Sequence, residues 1–430
     1  MKNISKILLI LTFVLSICVL SSCTMVTAGS NSSNDEKYMT EDEVKAMIQG
    51  IEENITVNAG DNYDITINSS ENKNLIAASK ALLSAVSVEC NFDITIVSLP
   101  SIWGPGSTTT EPATSYGSGV IYQLDKEKGD AYIITNYHVV YCQGADTEDD
   151  ISDDIKVYLY GKEYEKYAIN AEYIGGSMIY DIAVLKVKSS DVLRESKAMA
   201  ATFADSNETS ILDTAIAIGN AEAFGISATV GAVNVESEQI TMESVTGSLI
   251  TVRVLRVDAA VNSGNSGGGL YNDKGEIIGI VNAKMADSTI DNIGYAIPSN
   301  LAKNVAENII YYDTLDPNND AVYRALIGVN VAVDTADVIY DSETGKVLRH
   351  ETVIISSVNE GSVASGKLQA NDIIKSVTID GVEHEIVRTY NVVDVMLTAR
   401  KTSSVVFHIE RNGEKMDVTI DMSSINLTKS

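Results

Sequence analysis

In this 430-residue chain, Ser266 lies in a run of small residues, Gly264-Asn265-Ser266-Gly267-Gly268, a setting that acyl-transfer chemistry can use. A serine nucleophile needs its Oγ presented on a tight turn, with backbone N–H groups aimed at the oxyanion that forms beside it. Glycines reach the positive φ values that aim those amides, and they leave no Cβ against the substrate carbonyl. On this reading Gly264 and Ser266 lend the N–H groups, and Ser266 lends the nucleophile. The same residues also make an ordinary Gly/Asn turn between two strands, so the turn alone does not decide. Two upstream stretches bear on it. Thr135-Asn136-Tyr137-His138-Val139-Val140 puts a histidine just after the apolar run Ala131-Tyr132-Ile133-Ile134. Tyr180-Asp181-Ile182-Ala183-Val184-Leu185 puts an aspartate at the head of another apolar run. A serine hydroxyl needs a base to take its proton, and the imidazole needs a carboxylate to fix its tautomer and stabilise the imidazolium. His…Asp…Ser is the chain order of one of the unrelated triad folds. The chain has 4 histidines, and the other three, His350, His384 and His408, all follow the serine without such a context.

The elements that must position these groups are short and β-branched. Strand patterns fall at 117–122, 131–135, 155–159, 182–187, 214–218, 226–233, 249–257, 276–282 and 293–297, with Gly, Asn and Asp turns between them. Many short strands at even spacing imply a mainly β sandwich or barrel. A helix over 75–83 and a strand at 86–88 open this region, and a helix over 301–311 closes it. Residues 100–114, with Gly, Pro and four threonines, read as a long mobile loop. The run Asp146-Thr147-Glu148-Asp149-Asp150-Ile151-Ser152-Asp153-Asp154 reads as a solvated acidic loop, because it lacks the glycine and terminal glutamate of a calcium-binding EF-hand.

Together these motifs resemble the HtrA (DegP/DegS-like) family of trypsin-fold serine proteases carrying a PDZ domain. The resemblance rests on Gly117-Ser118-Gly119-Val120-Ile121, on the His138, Asp181 and Ser266 stretches, on Ala215-Ile216-Ala217-Ile218-Gly219-Asn220 and on Gly294-Tyr295-Ala296-Ile297-Pro298. It implies a chymotrypsin-like double six-stranded β-barrel over 73–312, with His138, Asp181 and Ser266 as triad and the Gly264 and Ser266 amides as oxyanion hole. It also implies an extracytoplasmic endopeptidase that hydrolyses unfolded or damaged proteins, assembled as a homotrimer, with no cofactor and no metal. Two other functions stay open: a site-specific regulatory protease gated by peptide binding, and a chaperone-like binder of unfolded clients. Ser263 and Gly269 stand where the family usually has proline, which leaves the turn less preset because φ is no longer locked. A trypsin-like pocket carries an acid at its base to meet Lys or Arg. Here Ala260 falls at that place with Val261 beside it, so the expectation is cleavage after small or aliphatic side chains.

Residues 322–422 resemble a PDZ domain. Arg324-Ala325-Leu326-Ile327-Gly328-Val329 matches its carboxylate-binding loop and ligand-pairing strand, with Leu326, Ile327, Gly328 and Val329 as the peptide-binding residues. Residues 391–400, with Val392, Val395 and Met396 along one face, would be the groove helix. Such a loop captures peptide C-termini while the peptide adds a strand. An unrelated small α/β domain is the alternative.

The N-terminal end reads as a targeting segment. Lys2 and Lys6 precede an apolar run over 7–20, too short to span a membrane and suited to a signal peptide over 1–22. Leu20-Ser21-Ser22-Cys23 resembles a bacterial lipobox, which implies lipidation of Cys23 and a lipid anchor on the outer side of the cell membrane. Plain secretion with cleavage near Ala28 is the competing reading. Residues 23–72 then form a tether and a small N-terminal segment, with a helix from Thr40 through about Glu53 and a hairpin around Gly60-Asp61-Asn62. Cys90 and Cys142 are left either paired or as free thiols. The formal charge of −28, from 59 acidic and 31 basic residues, argues against nucleic-acid binding, which needs a basic footprint.

Overall fold

The structure, a computed structural model, describes residues 55–59, 63–67, 73–98, 107–283 and 293–430. The expected signal peptide, Cys23, the tether, the helix from Thr40 and the turn at Gly60 lie outside the described residues. Two strands of the N-terminal segment, β1 (Ile55–Ala59) and β2 (Tyr63–Ile67), pair antiparallel as a hairpin. No helix among the described residues is long and apolar enough to cross a membrane.

Two closed six-stranded barrels follow helix α1 (Lys73–Ala81). The first is built from β3 (Ala85–Ser98), β4 (Ser107–Asp125), β5 (Asp130–Thr135), β6 (Asp154–Leu159), β7 (Ile169–Ser177) and β8 (Ile182–Val187), closing in the order β3-β4-β5-β8-β7-β6. Helix α2 (Tyr137–Val140) follows β5, and helix α3 (Asp191–Glu195) follows β8. The second barrel comprises β9 (Thr214–Gly219), β10 (Ser227–Glu243), β11 (Leu249–Val257), β12 (Gly269–Tyr271), β13 (Ile277–Val281) and β14 (Gly294–Pro298).

The period of two along each strand decides what meets what. Ile133 and Leu185 point into the first barrel with Val86, Val88 and Cys90. Their neighbours Ile134 and Val184 point out, into a cluster shared with Ile216, Ile218 and Ile280 of the second barrel. Ala217 and Leu270 in turn fill the second barrel's interior. Strands buried on both faces weld the barrels along a common apolar seam, which helix α4 (Ser299–Leu315) covers with Leu301, Val305 and Ile309.

Two features depart from the sequence reading, and a third decides an alternative it left open. The segment 107–114 is not a loop: β4 starts at Ser107 and pairs with β3 out to Ser98, because the β-branched Thr108, Thr109, Thr110 and Thr114 suit an extended ladder. β7 and β12 had no apolar signature, since β7 carries two glycines and polar residues and β12 has three residues. Cys90 and Cys142 are both free thiols, and burial pushes the Cys90 thiol far up, which keeps it protonated and inert.

The C-terminal part forms a separate sheet with its own core around Val353, Ile374, Val377, Val405 and Phe407. Its strands are β16 (Val329–Tyr340), β17 (Val347–Val358), β18 (Ile373–Ile379), β19 (Val382–Glu385), β20 (Ser404–Arg411) and β21 (Glu414–Asp421), while β15 (Tyr323–Ala325) and β22 (Leu427–Lys429) form a two-stranded sheet of their own. β22 lies beyond 422 and pairs with β15, so the closing strand runs past the expected limit of this part. Helix α5 (Thr389–Met396) sits against the barrels through Asp394, which pairs with Arg253 of β11; both side chains are at least nine-tenths buried. Arg253 also lies 3.9 Å over the Tyr390 ring. Burial pushes the Asp394 carboxyl up, and Arg253 pulls it back down.

A buried pair broken on one side leaves an uncompensated charge. Arg253→Ala should therefore cost about 3–5 kcal/mol in urea unfolding, whereas the double change Arg253→Met with Asp394→Leu should restore most of it. Additive losses in that cycle would show that the two side chains do not depend on each other.

Candidate active site

His138, Asp181 and Ser266 converge where the two barrels meet. β5 ends at Thr135, and the turn into α2 delivers His138. Asp181 stands just before β8 with φ +49, a left-handed conformation that a short polar side chain tolerates. Asn136, fully buried, holds it there by donating from Nδ2 to the Asp181 carbonyl at 2.8 Å. The Asp181 carboxylate then collects three donors. The His138 backbone N–H reaches Oδ1 at 3.0 Å, His138 Nδ1 reaches Oδ2 at 2.7 Å, and Asn282 Nδ2 reaches Oδ2 at 2.5 Å. An acceptor-only carboxylate at Nδ1 puts the imidazole proton on that nitrogen and leaves Nε2 free to act as a base.

Ser266 lies in the turn between β11 and β12. Of the amides from 264 to 268, three are spent: Asn265 donates to Asn262 O, Gly267 to Val281 O and Gly268 to Asn265 O. The Gly264 and Ser266 N–H groups meet no acceptor among the described residues. Gly267 has φ +85, and a Cβ there would sit 2.2 Å from Ser118 O, so only glycine fits. At Gly269 a Cβ would lie 2.4 Å from the fully buried Tyr271 ring, which explains why a side chain is missing where a proline was expected.

One residue of the first barrel pins this turn. Ser118 donates from Oγ to Gly264 O at 2.7 Å and accepts the Asn220 N–H at 2.7 Å. Its own N–H donates to Ser266 O at 2.8 Å, and Thr135 Oγ1 donates to its carbonyl at 2.7 Å. Ser266 is only 5% exposed, and its Oγ accepts the Ala283 N–H at 3.1 Å. No hydrogen bond joins that Oγ to His138 among the described residues. Ala260 is exposed, with its carbonyl accepting Thr229 Oγ1 at 2.8 Å, and Val261 is partly buried. Asn136, Asn282 and Ser118 carried no functional reading in the sequence. Ser118 and Asn136 were inside quoted motifs, but only their burial as polar groups marks them.

In the C-terminal sheet, Leu326, Ile327, Gly328 and Val329 line a cavity of about 270 Å³ with Val392 and Met396 of α5. The N–H groups of Leu326, Ile327 and Gly328 meet no acceptor among the described residues, and β16 is an edge strand of its sheet.

The trypsin-like peptidase domain family matches residues 117–280. The chain is 31% identical over 352 residues to the serine protease Do-like HtrA of Lactococcus lactis subsp. cremoris (strain MG1363), covering 73% of this chain and 80% of that protein. It is 33% identical over 282 residues to the serine protease Do-like HtrA of Bacillus subtilis (strain 168), covering 64% of this chain and 57% of that one. Among solved structures, an HtrA-type protease AlgW with tripeptide aligns over 82% of this chain and 96% of its own, at 26% identity and a TM-score of 0.48.

Gly267→Ala should destabilise the fold by more than the roughly 1–3 kcal/mol that a strained φ alone costs, because a carbonyl blocks the Cβ. Gly161, with φ +72 and nothing within 4 Å of its Cβ site, is the control. Equal losses of thermal stability in the two alanine variants would refute the crowding argument.

Proposed function

The chain belongs to the HtrA family of serine proteases, and from that premise we propose that His138, Asp181 and Ser266 are its catalytic triad. The observation that carries this is a carboxylate-oriented imidazole, tied through neighbouring Asn282 and Ala283 to one serine that has two unspent amides beside it. Ser266 Oγ turns from the Ala283 N–H to His138 Nε2, loses its proton there and attacks the substrate carbonyl. The oxyanion settles on the Gly264 and Ser266 N–H groups. His138, held by Asp181, returns the proton to the leaving amine, and a water then hydrolyses the acyl-enzyme by the same route. Substrates are unfolded or damaged polypeptides met outside the cytoplasm, cut after small or aliphatic residues at the Ala260–Val261 wall. The protein is held to the membrane by a lipid on Cys23 and assembles as a homotrimer. Residues 73–312 form the protease domain and 322–422 the body of a PDZ domain. Its Leu326–Val329 loop binds peptide C-termini through the free amides and the open β16 edge.

A second reading, peptide-gated activity, is favoured by two contacts. Ser266 Oγ is engaged by Ala283 rather than by the base. The groove helix α5 is tied by Asp394 to Arg253 on β11, the strand that leads directly into the nucleophile segment.

Digestion of unfolded casein, wild type against Ser266→Ala, tests both readings. Loss of the serine should lower the rate by about 10⁶-fold. Undiminished cleavage by the variant would remove Ser266 as nucleophile. A wild type that cuts only after C-terminal peptides are added would support gating.

A further inference from the structure

We propose that a cavity beside the oxyanion turn is a subsite for a lysine or arginine side chain of the substrate polypeptide. The inference rests on the peptidase reading above and assigns that site a charge preference away from the scissile bond. Its floor is the outer face of β4, β3 and β6. Register puts Ser87 opposite both Ser118 and Tyr158, and Glu89 opposite both Tyr116 and Lys156. Val86, Val88 and Cys90 point the other way, into the barrel. The cavity, about 210 Å³, takes Ser87, Glu89, Tyr116 and Tyr158 from this face and Glu163 and Glu165 from the following segment. Its far wall is Asn220, Ala223 and Gly225.

That wall also supports the catalytic turn. The Asn220 N–H is bonded to Ser118 Oγ, which donates to Gly264 O, and the Glu222 N–H donates to Ser263 O at 2.8 Å. A polypeptide lying across Ser266 therefore passes next to the cavity mouth.

The lining selects a cation. Glu165 meets Lys156 at 3.3 Å, but Glu89 and Glu163 have no cationic partner among the described residues. Glu89 receives Asn91 Nδ2 at 3.3 Å and the Tyr158 hydroxyl at 3.4 Å. The same hydroxyl lies 3.4 Å from Glu165, so two carboxylates flank one phenol. Ser87 is 4% exposed, and its Oγ has no hydrogen-bond partner among the described residues. Carboxylates, an unused hydroxyl acceptor and two tyrosine rings are complementary to an ammonium or guanidinium, which brings only donors and favours aromatic faces. An apolar or anionic side chain would leave these acceptors unmatched. A negatively charged surface is common on a chain of −28, but here the carboxylates line a cavity together with a buried hydroxyl that has no partner among the described residues.

Two measurements on the full chain test the proposal. In the first, wild type, Glu89→Gln and Glu163→Gln digest a set of unfolded peptides in which lysine or norleucine is stepped through each position around one cleavable bond. Wild type should favour lysine roughly three- to tenfold at one fixed position, and the lysine-to-norleucine ratio should fall towards one in each variant. In the second, Ser266→Ala protein binds the same peptides uncut, with the Glu89→Gln change added in parallel, by calorimetry in the presence of a chelator. Tighter binding of the lysine peptide, lost with Glu89→Gln, supports the subsite even if the wild type cuts nothing, in which case only the peptidase reading fails. Cleavage or binding that is indifferent to lysine at every position overturns the subsite and leaves the peptidase reading standing. A preference that appears only when the chelator is replaced by calcium also overturns it, since the acidic residues would then hold a metal.

Discussion

The proposed catalytic arrangement depends on hydrogen bonds that cross between the barrels at Ser118. His138 and Asp181 belong to the first barrel, while Ser266 and its amides belong to the second, so their mutual geometry is only as good as the joint between the two. The apolar seam of Ile134, Val184, Ile216 and Ile218 holds the barrels together, but dispersion and burial are not directional. Register across the joint comes from Ser118, whose N–H and Oγ fasten the carbonyls of Ser266 and Gly264. The Gly264 and Ser266 amides share their peptide planes with the carbonyls of Ser263 and Asn265, which accept the Glu222 and Gly268 N–H groups, and neither amide meets an acceptor among the described residues. An oxyanion hole is such a pair of donors, deprived of partners in the resting protein and so held ready for charge that develops later.

A similar economy governs Asp181. A carboxylate 5% exposed needs donors, and three converge on it, including the backbone of the residue whose ring it orients. Its left-handed φ turns the side chain back towards α2, and the Asn136 amide holds that turn. Orientation of the base is thus set by backbone as much as by side chain. It does not depend on the substrate.

Legibility in the sequence followed the range of the interaction. Ser266, His138 and Asp181 stand out as candidates in the sequence because each sits in a local punctuation of glycine, asparagine or a strand end. Both barrels were legible from their β-branched strands, apart from β7, whose glycines and polar residues break the pattern, and the brief β12. The β3–β4 extension was misread as a loop because threonine and glycine are as common in loops as on exposed ladders. Asn282 lies 101 positions from Asp181 and Ser118 lies 146 from Gly264, and no local pattern announces such partners. Their signature is a buried polar side chain, which only coordinates reveal.

The seam between the barrels and the C-terminal sheet follows a different logic from the catalytic joint. A hydrophobic contact of equal size would hold α5 against β11 at lower desolvation cost, since burying Arg253 and Asp394 forfeits hydration on both. What the ion pair adds is direction: its geometry tolerates little displacement before the charges are left bare, so α5 has few ways to sit. Helix α4 reinforces the same restriction, with Asn304 and Asn308 donating to the carbonyls of Asp394 and Leu397 at 2.9 and 2.7 Å. The groove side of α5 faces Leu326 to Val329, while its back is fastened to the strand that runs into the nucleophile turn. A ligand that shifted α5 would have to move a buried charged pair rather than slide apolar groups. Such a contact favours discrete arrangements over gradual ones, which is the mechanical requirement for a groove to act on a distant serine as a switch.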